Sequence, residues 1–144
     1  MSTSLSLHAA QSIIVGALDA ARQRAARPLA VVVLDAGGHP VAFAREDGAS
    51  LFRFDIARAK AMGAVGMGDS TRVLAERAKG NPVFFQSVTA VVGGDVAFSP
   101  GGVLVRHEGA IVGAVGISGD TGDCDEECAL AGLIAAGFNT ESNA

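Results

Sequence analysis

Six consecutive apolar residues, Leu29-Ala30-Val31-Val32-Val33-Leu34, follow Pro28 and precede Asp35-Ala36-Gly37-Gly38. The proline bars a helix from running into this stretch, and its β-branched content suits an extended strand. An uninterrupted apolar strand offers no polar face to water, so the chain must cover it on both sides. The remainder of the sequence therefore has to supply two covering layers.

The pattern on either side meets that demand. Ala10, Ile13, Ile14, Ala17, Leu18 and Ala21 recur at three- and four-residue steps, predicting a first helix over Leu7–Arg24 with Ser4 or Ser6 as its cap. After the turn residues 35–40, Val41 to Arg45 resumes an extended pattern and forms a hairpin with the central run. Three helical pieces follow. One runs from Leu51 to about Met62 and is ended by Gly63, Gly66 and Gly68; a short one passes through Val73, Leu74 and Ala78 to Gly80; the third runs from Val83 to about Ala90 behind Asn81-Pro82. From Val91 the chain reads as short strands and turns, with Val96-Ala97-Phe98, Val103 to Arg106 and Ala110 to Ser118 as strands. A last helix covers Cys124 to Phe138, and residues 1–5 and 139–144 read as frayed. The predicted order is α-β-β-α-α-α-β-β-β-α, an α+β fold with about five antiparallel strands packed with helices.

With 144 residues, 49% hydrophobic and 18% charged, the whole chain is expected to form one soluble domain over 1–144. That length buries roughly 70% of the unfolded surface. Its apolar runs fall short of the roughly 18 residues a membrane span needs, so no membrane partner is expected. A net charge of -4, with no Trp and no Tyr, opposes binding to a polyphosphate backbone and leaves few rings for base stacking, so no nucleic-acid partner is expected. Residues 1–8 show no basic leader before an apolar core, and the expected location is cytoplasmic.

Several stretches, taken in order, resemble the GlcG/HbpS family, also described as heme-degrading-domain-like or PduO C-terminal-like. They are Val31 to Gly38, Asp55-Ile56-Ala57-Arg58-Ala59-Lys60-Ala61, Pro100-Gly101-Gly102, and Val112 to Gly119 leading through Asp123-Cys124-Asp125-Glu126-Glu127-Cys128-Ala129 into the last helix. The resemblance implies helices around a sheet of about five antiparallel strands in a homo-oligomer, with an octamer as one form. It also implies heme as a cofactor or ligand, in a protein accessory to a catabolic pathway. It fixes no axial residue.

The residues themselves offer an anion site. Lys60 stands among alanines, where an ammonium is costly to bury unless an anion meets it. That anion is either a ligand carboxylate, a heme propionate included, or an acid of the last helix such as Asp123, Asp125 or Glu126. The turns carrying Pro100, Gly101, Gly102 and Ser118 can present backbone N–H groups to an oxyanion. Phe85, beside Phe84, can line a pocket while its neighbour enters the core, or the reverse. Lys60, Phe85, Pro100, Gly101, Gly102, Ser118 and Asp125 are thus the candidate ligand-binding residues, for heme or another anionic organic ligand. The competing reading is a cofactor-free isomerase, hydratase or decarboxylase for a small organic acid, with Lys60 anchoring the acid and Asp125 or Glu126 moving a proton. A third is a structural oligomer without ligand. His8, His39 and His107 can each ligate heme iron, but each also reads as an exposed turn or helix residue. Cys124 and Cys128 share a helical face, yet zinc takes four ligands and no second thiol pair exists, so no metal site is expected.

Overall fold

A computed structural model describes residues 4–143. Its elements are α1 (Leu7–Gln23), β1 (Ala30–Asp35), β2 (Pro40–Arg45), α2 (Arg53–Met67), α3 (Thr71–Gly80), α4 (Pro82–Val91), β3 (Gly102–His107), β4 (Ala110–Ser118) and α5 (Gly122–Ala135), with a 3-10 turn at Glu141–Asn143. The fold is α+β. Four antiparallel strands run in the order β2-β1-β4-β3, which places the apolar run at the centre.

Strand alternation divides the core in two. Val31, Val33, Val103, Val105, Val115 and Ile117 face one way, onto α1 and α5. Ala30, Val32, Leu34, Leu104 and Ala114 face the other way, onto Ala57, Ala61 and Ala64 of α2. Small residues set the distance on that second side. A Cβ at Gly116 would fall inside van der Waals contact of the Ala57 carbonyl, and one at Gly102 would lie 2.5 Å from the Lys60 carbonyl. Helix α2 therefore lies on bare backbone, with its carbonyl edge against β3 and β4.

The sheet has four strands where five were expected. Val96-Ala97-Phe98 is irregular: Ala97 donates its N–H to the Ala59 carbonyl of α2, and Phe98 packs over Gly63. A segment whose backbone is bonded to a helix has no donor left for a strand ladder. Gly63 and Gly66 do not end α2, which continues to Gly68 in the left-handed conformation, φ 79°. Tertiary packing, with Phe98 seated against Gly63, outweighs their poor helix propensity. Helix α5 begins earlier than expected, at Gly122, because Thr121 accepts a hydrogen bond from Cys124 N–H. The segment expected to fray after 139 holds Asn143 against β3: its side chain accepts from Leu104 N–H and donates to the Leu104 carbonyl. Of the N-terminal stretch expected to fray, residues 1–3 lie outside the described residues, and Leu5 is buried.

Candidate functional site

Lys60 points inward from the alanine face of α2 and is 4% exposed. Its ammonium donates to the Ile117 carbonyl of β4 at 2.9 Å and to Asp125 Oδ2 of α5 at 3.2 Å. Of the three acids open to it in the sequence, Asp125 is the partner. Asp125 is itself 1% exposed and accepts the Asp120 N–H at 3.0 Å. Burial drives both groups toward neutrality: it lowers the Lys60 pKa, with nearby Arg53 adding to the effect and Asp125 opposing it. It raises that of Asp125 against the opposing pull of Lys60.

The glycine corner closes on the same lysine. A Cβ at Gly101 would lie 2.7 Å from the Ile117 carbonyl and 2.8 Å from Lys60 Nζ, so the lysine fills the space this glycine leaves. Gly102 exchanges hydrogen bonds with Thr71, whose hydroxyl accepts from its N–H at 2.8 Å. Ser118, also buried, accepts from Arg53 Nη1 at 3.1 Å. Pro100 lies under the first turn of α5, against Gly122. Lys60, Gly101, Gly102, Ser118 and Asp125 are thus brought together, as the sequence suggested, but as a latch joining α2, β4 and α5 whose ammonium is already neutralised.

Glu126 stands beside this latch and faces Arg72 instead. Arg72 Nε donates to Glu126 Oε1 at 2.8 Å while Nη2 pairs with Asp123. The other Glu126 oxygen is enclosed without a partner. Phe85 lies elsewhere: buried in α4, it packs edge-to-face with Phe84 and Phe98 at 5.4 and 5.1 Å. Phe84 is the half-exposed neighbour. Sequence reasoning did not single out Arg53, Thr71 or Arg72, whose partners lie 65, 31 and 51 to 54 positions away. No local pattern carries such pairings.

An open apolar groove lies on the other side of the sheet. Helix α1 and edge strand β2 frame about 670 Å³ lined by Leu7, Gln11, Ile14, Val15 and residues 40–44. Val15 is 59% exposed on its α1 wall, while the Phe43 ring at its β2 edge turns to the opposite face of the sheet and packs on Phe54 of α2 at 5.0 Å. Gln11 and Val15 also line the adjoining hollow that contains His8, so the imidazole stands at the rim of the groove. His39 and His107 lie on other surfaces, His39 in the β1–β2 turn and His107 beside Leu5, Val112 and Phe138. Among the described residues no helix is long and apolar enough to cross a membrane.

A four-stranded antiparallel sheet between a two-helix layer and α2, with an apolar groove at one edge, defines a small α+β protein. The family model described as "Haem degrading protein HbpS-like" matches residues 5–134, and the chain belongs to that family. It is 34% identical to an HbpS double mutant from Streptomyces reticuli, covering 95% of this chain and 90% of that one with a TM-score of 0.82. It is 26% identical to the PduOC protein of a PduOC–heme complex, covering 96% and 99% with a TM-score of 0.87. No curated protein matches the chain.

Proposed function

We propose that this chain binds heme in the groove between α1 and β2, as a homo-oligomeric, cytoplasmic accessory protein of a catabolic pathway. The observation that carries the reading is the groove itself: about 670 Å³, apolar along both walls and open at one side, within the size range of cofactor sites. A flat porphyrin needs such walls, and Leu7, Ile14 and Val15 of α1 with Val41, Ala42 and Ala44 of β2 supply them. Of the three histidines, His8 is the one whose hollow adjoins the groove, and it would be the imidazole to hold the iron. Heme would supply iron-centred ligation and electron transfer; the chain supplies the apolar walls. The existence of a heme complex in a family relative of the same fold supports the choice of ligand.

On this reading Lys60, Gly101, Gly102, Ser118 and Asp125 hold the framework, and no guest anion is needed beside them. Self-association rests on α4. The stretch 81–94 contains no charged residue, and Val83 and Val91 are 74% and 84% exposed. An uncharged, outward-facing helix of this kind suits a subunit contact.

Heme titration tests the ligand. We expect a saturable Soret change at one heme per chain, abolished by Val15→Asp and shifted in wavelength by His8→Ala, with the double variant Lys60→Met/Asp125→Leu, which buries no charge, leaving it unchanged. Absorbance that rises linearly without saturation, or full binding by Val15→Asp, refutes the reading. Light scattering of Phe84→Asp beside the native chain tests assembly, and a native chain that stays monomeric at all concentrations refutes it.

A further inference from the structure

Cys124 and Cys128 take no part in the groove or the latch. They occupy successive turns of α5, four residues apart, and their side chains adjoin. Cys124 is half-buried in the first turn, while Cys128 is fully enclosed among the α1–α5 core residues. Just past α1, Arg24 pairs with Glu127, one turn along α5 from Cys124.

Geometry decides what this pair can do. Side chains at i and i+4 of a helix hold their Cβ atoms about 5–6 Å apart. A disulfide requires about 3.5–4.5 Å. A direct S–S bond would therefore unwind α5, but one atom inserted between the sulfurs would not. Among the described residues no third or fourth His, Cys, Asp or Glu converges to complete a metal set, which excludes tetrahedral zinc. Asp120, nearby in sequence, spends its oxygens on the Arg27 and Thr121 N–H groups, and a hard oxygen is a poor ligand for a soft ion. A soft monovalent cation held linearly by two thiolates meets every one of these constraints.

We propose that Cys124 and Cys128 form a two-coordinate Cu(I) site, filled from the Cys124 side. Two thiolates and one Cu(I) carry a net charge of -1, at the first turns of α5, where the helix dipole favours negative charge.

The test presents Cu(I) as its bicinchoninate complex, under reductant and without oxygen, to the full chain. We expect the chain to withdraw one Cu(I), with X-ray absorption showing sulfur neighbours alone. Cys124→Ala and Cys128→Ala should each weaken binding by more than the about 10–100-fold that losing an outer-shell partner costs. Cys124 is partly exposed, so Cys124→Ala should keep the native circular dichroism and unfolding midpoint, separating loss of a ligand from loss of the fold. Binding retained by either single variant, nitrogen or oxygen neighbours at the copper, or no transfer to the native chain overturns the proposal. So does a disulfide formed under mild oxidant with α5 still fully helical.

Discussion

Removing one partner of the Lys60–Asp125 pair should be among the most damaging single changes in the chain. The ammonium has two acceptors, Ile117 O and Asp125 Oδ2, and the site is closed to water. Asp125→Ala leaves that ammonium with one carbonyl, a loss of about 3–5 kcal/mol for a broken buried pair. It also strips the Asp120 N–H of its acceptor, adding about 1 kcal/mol. Against a total stability of about 5–15 kcal/mol, either figure is a large fraction. With urea slopes of about 1–3 kcal/mol/M, a 4 kcal/mol loss moves the midpoint by about 1.3–4 M. The pH dependence sharpens the test. In Lys60→Met, Asp125 loses the charge that opposed its burial, so its folded pKa rises further above 3.8. A raised folded pKa gives stability that is present below the unfolded value and lost as pH rises through the folded one, so this variant's deficit grows from pH 4 to pH 8. In Asp125→Asn, Lys60 keeps a lowered folded pKa, whose contribution is present above 10.5 and lost as pH falls. That deficit shrinks toward alkaline pH. The double variant Lys60→Met/Asp125→Leu buries no charge and should recover most of the loss. Single-variant losses below about 1 kcal/mol, parallel pH slopes, or a double variant as unstable as the sum of the singles would refute the reasoning.

Two further outcomes follow from close packing and from a capped carboxylate. Gly116→Ala drives a methyl into the Ala57 carbonyl, a backbone atom that moves only with α2, and should lose about 1–3 kcal/mol or more in urea unfolding; Gly66→Ala, with nothing within 4 Å, should gain about 0.5–1 kcal/mol. Asp120 accepts the backbone N–H groups of Arg27 and Thr121, which hold its pKa below 3.8. Its contribution is present above 3.8 and lost as pH falls through the lower folded value, so the thermal midpoints of native chain and Asp120→Asn should differ at pH 6 and converge toward pH 2.

The elements were legible wherever the signal was local. The apolar run 29–34, the helical spacing from Ala10 to Ala21 and the Asn81-Pro82 start each depend on a few neighbouring residues, and each lies where the sequence placed it. The expected fifth strand failed because Val96-Ala97-Phe98 has strand composition but spends its backbone on α2, a partner some 38 positions back. The groove was illegible for a related reason: its walls come from α1 and β2, and neither segment alone shows that Val15 and Ala42 will border a common space.

The latch was more legible than the reading of its residues allowed. In α5 the buried stripe Leu133, Ala129 continues backward by fours to Asp125, and Gly132, Cys128 precede it on the adjoining row. In α2 the stripe Ala64, Ala61, Ala57 passes through Lys60 at helical spacing. Helix α2 thus buries one cation, and α5 buries Asp125 beside Glu126, whose partner is Arg72; a buried charge requires a partner. Two such misfits in one small core satisfy each other more cheaply than either can recruit a guest. The pairing of Lys60 with Asp125 rather than with a ligand follows from helical phase together with the energetic penalty of leaving either charge alone.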